Sequence, residues 1–346
     1  MRPKVIAKLF SILVALLFCG ASVAAKSLHV ETQIHPPSDQ VADTPSLGET
    51  TTLLPNGTIL VLGGQSKDGS ITDSAMIRDP QSGTITKLSS KLNFARAWHS
   101  ASVLPNGTVF ILGGIGNSGG IVSQAELFDL QSQTFQLLTM PRPTPRAFHS
   151  STVLTDGRLL IAGGADNNGQ LLQTLEVWDF RSGASSTPNI RLNVPRRSHQ
   201  ATLLADGKVL FSGGKDPKNK SLSSADVFDP NSQTMNLVSD VRALLLSDGN
   251  AIETRATSPE DGATDVALDS FISMRFSHPI AIQTINSQAA TLSGPNGTVT
   301  AKVSGAEAGM LAFIIPNSNL LPGTTYTAKF TGGADQNGSS SETLVR

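Results

Sequence analysis

Short apolar runs alternate with polar turns along most of this chain, and one such run occurs four times at a constant spacing. Each copy has an Asn-Gly or Asp-Gly pair, then a mainly apolar run, then Gly-Gly, and the glycine pairs recur every 50 residues. Asn, Asp and Gly adopt the left-handed backbone of a tight turn, so each copy predicts an antiparallel hairpin. A period of this length indicates a repeat architecture. The copies are Leu53–Gly64, Leu104–Gly114, Leu154–Gly164 and Leu204–Gly214.

The rest of each repeat predicts two more strands. A third strand ends in an aspartate that begins a turn, and a short fourth strand such as Thr134–Leu138 follows. Four antiparallel strands per repeat make a propeller blade, and blades bury one another's faces when they stack around an axis. The sequence therefore predicts an all-β propeller over residues 48–245. The turn aspartates are expected to bond backbone amides within their own turns. They are Asp79, Asp129, Asp179 and Asp229.

The repeat ends before the chain does. Leu244–Ile252 begins like a fifth hairpin but has no Gly-Gly after it, so we interpret it as a degenerate stub. Residues 257–346 show alternating strands separated by turn residues, a pattern that predicts a β-sandwich. Two alternatives stay open for the end of this domain. Either Glu342–Arg346 is its last strand, or the chain is a truncated fragment of a longer protein.

Two family resemblances follow from these residues. An Arg-x-x-His motif precedes the hairpin in three of the four copies, and this combination resembles kelch repeats, in the branch related to the galactose-oxidase propeller. The first copy departs from it, with Ser46 and Glu49 at the Arg and His positions. The resemblance implies a kelch-type propeller of four recognisable blades, either a complete small ring or an incomplete one. The motifs are Arg96-x-x-His99, Arg146-x-x-His149 and Arg196-x-x-His199.

The C-terminal segment resembles a bacterial Ig-like domain of the surface-layer type. Three phrases carry this resemblance: Pro259-Glu-Asp-Gly-Ala-Thr-Asp-Val266, Phe276-Ser-His-Pro-Ile280 and Leu321-Pro-Gly-Thr-Thr-Tyr-Thr327. The resemblance implies an Ig-like β-sandwich that serves as a spacer or stalk.

The first 25 residues predict a secretory signal peptide. Three basic residues precede an apolar run over 9–18, and small residues follow at 23–25. The apolar run is too short for a membrane span. We therefore expect an exported protein that is periplasmic, at the cell surface or extracellular. Residues 26–47 form either a flexible lead-in or the segment that closes the ring.

The composition of the chain excludes several kinds of partner and of catalytic chemistry. The formal net charge is −1 with no block of like charge, so nucleic acid is not an expected partner. Cys19, the single cysteine, lies in the predicted signal peptide, so the mature chain has no disulfide, which favours a bacterial origin.

Copper-radical oxidation, the activity that the galactose-oxidase resemblance suggests, needs a cysteine and two tyrosines. The mature chain has no cysteine and one tyrosine, Tyr326, so this activity is excluded. No cofactor and no metal are expected.

The repeated basic residues have two interpretations. His99, His149 and His199 could ligate zinc or copper. Their equivalent places in successive repeats instead favour a structural role at the seams between blades. The arginines of the same motif are likewise expected to bond carbonyls or the turn aspartates of a neighbouring blade.

A ligand site, if the propeller has one, is expected on the loops after Gly-Gly and on the segments that enter each first strand. Both lie at the same end of the strands, and binding residues gather on loops held by a rigid scaffold. Arg and Asn suit sugar hydroxyls or carboxylates, and an aromatic ring could stack on a sugar. The candidate contacts are Arg96, Trp98, Asn117, Arg146, Phe148, Asp166, Asn167, Arg196 and Arg197.

Three hypotheses for the function remain open. The first is an exported, non-enzymatic binding or adhesion module, whose propeller face recognises a carbohydrate or a protein and whose Ig-like domain is a spacer. The second is an exported carbohydrate-active enzyme of the epimerase or lyase type on a kelch propeller. The third is a piece of a larger surface protein without a separate activity. The first is favoured because no acid, base or metal-ligand constellation rises above the repeat background.

Overall fold

The computed structural model describes residues 46–238, 241, 252–334 and 340–345, with side chains up to residue 331. All of them belong to one compact unit, residues 45–346. The described ranges contain six four-stranded antiparallel sheets, two short 3-10 helices and no α-helix, which confirms the all-β prediction. The predictions for residues 1–25, 26–45 and most of the fifth-hairpin stub lie outside the described residues.

Four of the sheets are propeller blades, and each takes its strands from one repeat. Within a blade the strands pair in chain order, so every connection is a hairpin. The first hairpin turns as its sequence predicts: Gly57 has a φ of 85°, and the side chain of Asn56 accepts the backbone N–H of Thr58 at 3.1 Å.

The strand bounds of the blades are as follows. Blade 1 has β1 (Thr50–Leu53), β2 (Ile59–Leu62), β3 (Ala75–Arg78) and β4 (Ile85–Lys87). Blade 2 has β5 (Ser100–Val103), β6 (Val109–Leu112), β7 (Glu126–Asp129) and β8 (Thr134–Leu137). Blade 3 has β9 (Ser150–Val153), β10 (Leu159–Ala162), β11 (Leu175–Trp178) and β12 (Ser185–Ser186). Blade 4 has β13 (Gln200–Leu203), β14 (Val209–Ser212), β15 (Ala225–Asp229) and β16 (Thr234–Val238).

The second strand of each blade forms its core. All four residues of β6, of β10 and of β14 are buried, as the apolar runs predict for a strand covered on both faces. In β2 the residues alternate between half-buried and buried. Ile59 and Val61 are the half-buried residues, and Leu60 and Leu62 are the buried ones.

The blades follow one another around an axis, with their first strands nearest to it. The first strands of successive blades contact each other: β1 contacts β5, β5 contacts β9 and β9 contacts β13. The first glycine of each pair lies at the resulting seams. A Cβ on Gly63 or Gly113 would overlap the carbonyl oxygen of the arginine in the next blade. A Cβ on Gly213 would meet nothing within 4 Å. The described blades therefore meet at three seams, and no hydrogen bond between blade 4 and blade 1 is found among the described residues.

The remaining two sheets form the predicted Ig-like sandwich. One sheet has the order β17-β18-β22-β21 and the other β20-β19-β23-β24. Met274, Phe276, Leu292, Ile314 and Phe330 are buried between them. The last strand, β24, pairs with β23, so residues 340–345 are a strand of this domain. The bounds are β17 (Thr254–Ser258), β18 (Ile272–Phe276), β19 (Ala290–Gly294), β20 (Gly297–Val299), β21 (Ala301–Ala306), β22 (Leu311–Pro316), β23 (Thr327–Ala334) and β24 (Ser340–Val345), with 3-10 helices at Ile282–Thr284 and Glu307–Gly309.

The Ig-like domain sits on the end of the propeller that carries the Asn-Gly and Asp-Gly turns. A Cβ added to the glycine of any of these four turns would press on an Ig-like side chain. Phe271, Met310 and Phe313 of the Ig-like domain also belong to the same buried cluster as the propeller core. The sandwich therefore covers this end, which we call the turn face. The pairs are Gly57 with Gln283, Gly107 with Ser304, Gly157 with Phe271 and Gly207 with Arg275.

Candidate ligand-binding face

The opposite end of the propeller, the loop face, carries every residue that the sequence put forward for ligand binding. Strand direction puts it there, because β2, β6, β10 and β14 run from the turn face to the paired glycines. The segments that lead into β5, β9 and β13 cross the same end.

The three motif arginines are buried within their own blades. Arg96 Nη2 lies 2.6 Å from Oε1 of Glu126 on β7, and both side chains are fully buried. Its guanidinium also donates to the carbonyl oxygens of Gly113 and Gln124, each at 3.1 Å. Of the two expected kinds of partner, carbonyls or turn aspartates of a neighbouring blade, the structure shows the carbonyls. The carboxylate partner stands on the third strand of the same blade.

The same arrangement repeats in blades 3 and 4. Arg146 Nη2 lies 3.1 Å from Glu176, and Arg196 Nη2 lies 3.0 Å from Asp226. In blade 1 the acid position of the third strand is Met76, and the arginine position is Ser46. The two positions therefore change together, a signal in the sequence that points to the pair. None of the three guanidinium groups is open to a ligand.

The motif histidines link neighbouring blades, as predicted. Each Nε2 lies 2.8–2.9 Å from a hydroxyl at the start of the preceding blade's first strand. Burial lowers the pKa of His149 and of His199 to about 3 and holds that of His99 well below its usual value. All three are therefore neutral at physiological pH. In the part of the chain that the structure describes, no three His, Cys, Asp or Glu side chains are placed to hold a metal ion. The pairs are Thr50 with His99, Ser100 with His149 and Ser150 with His199.

The polar loop candidates also make contacts inside the propeller. Asn117 Oδ1 accepts the backbone N–H of Ile71 at 3.0 Å, and Asn167 Oδ1 accepts that of Ile121 at 2.9 Å. Each of these bonds crosses a seam. The carboxylate of Asp166 accepts two backbone N–H groups of its own turn, each at 2.9 Å. These side chains shape the loops.

Trp98, Phe148 and Arg197 stand apart, because their side chains are half-buried and lie against one another. The ring centroids of Trp98 and Phe148 are 5.2 Å apart with a 36° angle between the ring planes. The guanidinium carbon of Arg197 lies 5.4 Å from the Phe148 centroid, within reach of a cation–π interaction. We call these three residues the stacked patch.

Backbone hydrogen bonds between successive blades hold the stacked patch in place. The N–H of Phe148 donates to the carbonyl of Trp98 at 2.9 Å, and the N–H of Ser198 donates to that of Phe148 at 2.8 Å. Trp98 and Phe148 have left-handed φ values of 56° and 59°, which non-glycine residues adopt only where packing holds them. The patch is therefore a fixed feature of three successive blades.

Residues 48–242, more than half of the 346-residue chain, match the family model described as "KLHDC2/KLHL20/DRC7 Kelch-repeats domain". This chain belongs to the kelch-repeat family. In the same kelch-repeat chain, residues 248–345 match the family model "Bacterial Ig-like domain". A comparison with curated proteins finds no match.

Among solved structures, one titled "Structure of YjhT" is similar to the kelch-repeat chain at 12% identity and a TM-score of 0.40. The similarity covers 55% of this chain and 83% of that one. In the part of the chain that the structure describes, no helix has the length and hydropathy needed to cross a bilayer.

Proposed function

We propose that this kelch-repeat chain is an exported, non-enzymatic binding module whose loop face binds a protein ligand through Trp98, Phe148 and Arg197. The kelch-repeat and Ig-like domains support a binding or structural module. The stacked patch carries the proposal, because it is the part of the candidate set whose side chains are partly open to solvent and make no buried ion pair, no seam bond and no bond to the backbone of their own turn. Export rests on the signal peptide that residues 1–25 predict.

A protein ligand fits the stacked patch better than a carbohydrate. A sugar ring stacks on a flat aromatic face, but Phe148 has Trp98 and Arg197 against its ring. The Trp98 indole in turn packs against Gly48, where a Cβ would come within 2.7 Å of it. What remains accessible is a mixed apolar and cationic surface. Such surfaces are typical of protein recognition, where aromatic residues and arginine supply most of the binding energy.

The charge around Arg197 favours an acidic ligand. The adjacent loop of blade 4 exposes Lys215, Lys218 and Lys220, and Asp216 is the one acid among them. Among the described residues the guanidinium of Arg197 makes one side-chain hydrogen bond, to Asn219 Oδ1 at 3.0 Å. The other N–H groups of this guanidinium can therefore donate hydrogen bonds to a carboxylate, which a guanidinium binds in a bidentate manner. We expect an acidic protein segment that also carries apolar side chains.

The experiment is a binding screen of the purified full chain on two arrays, one of acidic, neutral and basic peptides with apolar residues, and one of glycans. Selective binding to the acidic peptides is expected, with at least a tenfold loss for Trp98→Ala and for Arg197→Ala. Leu137→Ala removes an exposed apolar side chain of β8 and is the matched control, expected to bind like the unmodified chain. Binding to glycans alone, or equal binding by all variants, would contradict the proposal.

The enzyme alternative gains no support from the site. Arg96 and Arg146, the residues on which turnover by such an enzyme would depend, have their guanidinium groups in buried ion pairs.

A further inference from the structure

One tight turn of the Ig-like domain brings a carboxyl group into the contact with the propeller. Glu307, Ala308 and Gly309 have φ values of 47°, 53° and 95°. Three successive left-handed residues, two of them with a Cβ, form only where the surrounding packing holds them. Here the flanking Ala306 and Met310 are buried in the cluster shared with the propeller core. The turn is thus fixed against the turn face, and Glu307 is its first residue.

The carboxyl group of Glu307 is bound to blade 3. Its Oε1 accepts the backbone N–H of Val153, the last residue of β9, at 2.6 Å. Glu307 makes no ion pair among the described residues. Burial raises the pKa of this carboxyl to about 7, and the Val153 N–H, which favours the charged form, offsets only part of that effect. The group therefore changes its charge near neutral pH.

The cations nearest this contact interact with other groups. Arg275 donates to the carbonyl of Ala205 at 2.9 Å and to Thr155 Oγ1 at 2.7 Å, and Lys302 acts electrostatically on Asp129 of blade 2. His278 lies on the Ig-like segment that bonds to the Glu307 turn, and its Nδ1 is hydrogen-bonded to a serine hydroxyl. Glu307 is thus a half-buried carboxyl at the contact, without a cationic partner among the described residues.

We propose that Glu307 is a pH-sensitive latch, which lets the Ig-like domain dock tightly on the turn face when its carboxyl is protonated and weakens that docking when it is ionised. A neutral carboxyl keeps its bond to Val153 and places no charge in the contact. An ionised one must give up its hydration to stay docked, with a single N–H in return. Undocking restores that hydration, so ionisation favours the open arrangement.

The direction and size of the pH effect on docking follow from the difference between the docked and undocked pKa of Glu307. A carboxyl whose pKa is about 7 when docked and near its ordinary value of 4.5 when undocked binds more protons in the docked state. Docking therefore weakens as the pH rises from about 4.5 to about 7, and changes little above that. Between pH 5 and pH 8 the docking constant is expected to fall on the order of a hundredfold.

Hydrogen exchange of the Val153 amide in the full chain tests the latch, because this N–H is itself the bond to Glu307. Mass spectrometry on peptides that contain Val153, at pH 5 and pH 8, compares the unmodified chain with Glu307→Gln at the same pH, so that intrinsic exchange rates cancel. Gln keeps the acceptor oxygen but cannot ionise. We expect similar protection at pH 5 and up to a hundredfold lower protection in the unmodified chain at pH 8.

Three further variants make the outcome decisive. Glu260→Gln, at an exposed acid of the same domain, and His278→Asn should keep the pH response of the unmodified chain. Ser273→Ala removes the hydrogen bond from Ser273 Oγ to the carbonyl of Thr155 and should lower protection at both pH values. A pH response that persists in Glu307→Gln, or that disappears in His278→Asn, would overturn the latch. So would a Glu307→Gln chain that is unprotected at pH 5.

Discussion

The hydroxyl of Ser100 and Nε2 of His149 lie 2.8 Å apart across the seam between blades 2 and 3. One such contact crosses each of the three seams, always between the motif histidine and the residue that begins the preceding blade's first strand. Because the histidine is buried, its bond replaces water that would otherwise solvate the ring. The histidines are therefore part of what holds one blade to the next.

Removing this contact should destabilise the propeller. His149→Ala deletes a buried ring and leaves the Ser100 hydroxyl without its partner, which together cost about 2–4 kcal/mol of unfolding free energy. Chemical denaturation measures the loss, and a double-mutant cycle with Ser100→Ala separates the pair from the cavity. A coupling of about 0.5–1.5 kcal/mol is expected. A coupling near zero would show that the two side chains merely lie close together.

The same histidines should make the propeller sensitive to acid. Burial lowers the pKa of His149 and of His199 to about 3, below the ordinary value of 6.5 that applies in the unfolded chain. The unfolded state thus binds more protons below pH 6.5, and the free energy of unfolding falls as the pH falls towards 3. Each histidine contributes a loss of about 2 kcal/mol between pH 7 and pH 5.

Denaturant midpoints at pH 7 and pH 5 test this acid sensitivity. His149→Asn cannot take up a proton, so its loss between the two pH values should be smaller than that of the unmodified chain. His278→Asn, which changes a histidine of the Ig-like domain, is the matched control and should keep the full loss. Equal losses in all three chains would show that His149 does not titrate as described.

The sequence predicts the blades well because the residues that define each hairpin lie close together in the chain. The turn pairs, the apolar second strands and the paired glycines lie within a dozen residues of one another, and the period of 50 fixes how the copies align. The partner of Arg96 was not predicted, since Glu126 is 30 residues away and meets it only when β7 pairs with β6. The sequence also did not predict that the Ig-like domain covers the turn face. Gly157 and Phe271 show no pattern that would join them, because their contact depends on the docking of two domains.

The ion pair of Arg96 and Glu126 should be costly to break and cheaper to replace. Arg96→Ala leaves a buried carboxylate without its cation, at a cost of about 3–5 kcal/mol in unfolding free energy. The double change Arg96→Ser with Glu126→Met introduces the two residues that blade 1 carries at these positions. It removes both charges, so it should destabilise less than Arg96→Ala alone.

Denaturation curves of these variants measure the difference. The exposed pair of Arg158 and Asp156 provides the comparison, and Arg158→Ala should cost less than about 1 kcal/mol. A double variant that is as unstable as Arg96→Ala would mean that lost packing, rather than the unpaired charge, dominates the cost.

The close approach of Gly157 to Phe271 gives a direct test of domain docking. Gly157 has a φ of 80°, so Gly157→Ala introduces backbone strain and also drives a Cβ into the Phe271 ring. Gly69 has a φ of 87° and nothing within 4 Å of its added Cβ, so Gly69→Ala carries the strain alone. The excess cost of Gly157→Ala over Gly69→Ala therefore reports mainly the overlap with Phe271, with a smaller share from Pro105 at 3.0 Å, and about 1–3 kcal/mol is expected. Unfolding free energies supply the numbers, and hydrogen exchange of the Val153 amide shows whether the loss comes from weaker docking. Equal costs for the two variants would mean that the Ig-like domain does not press on this turn in solution.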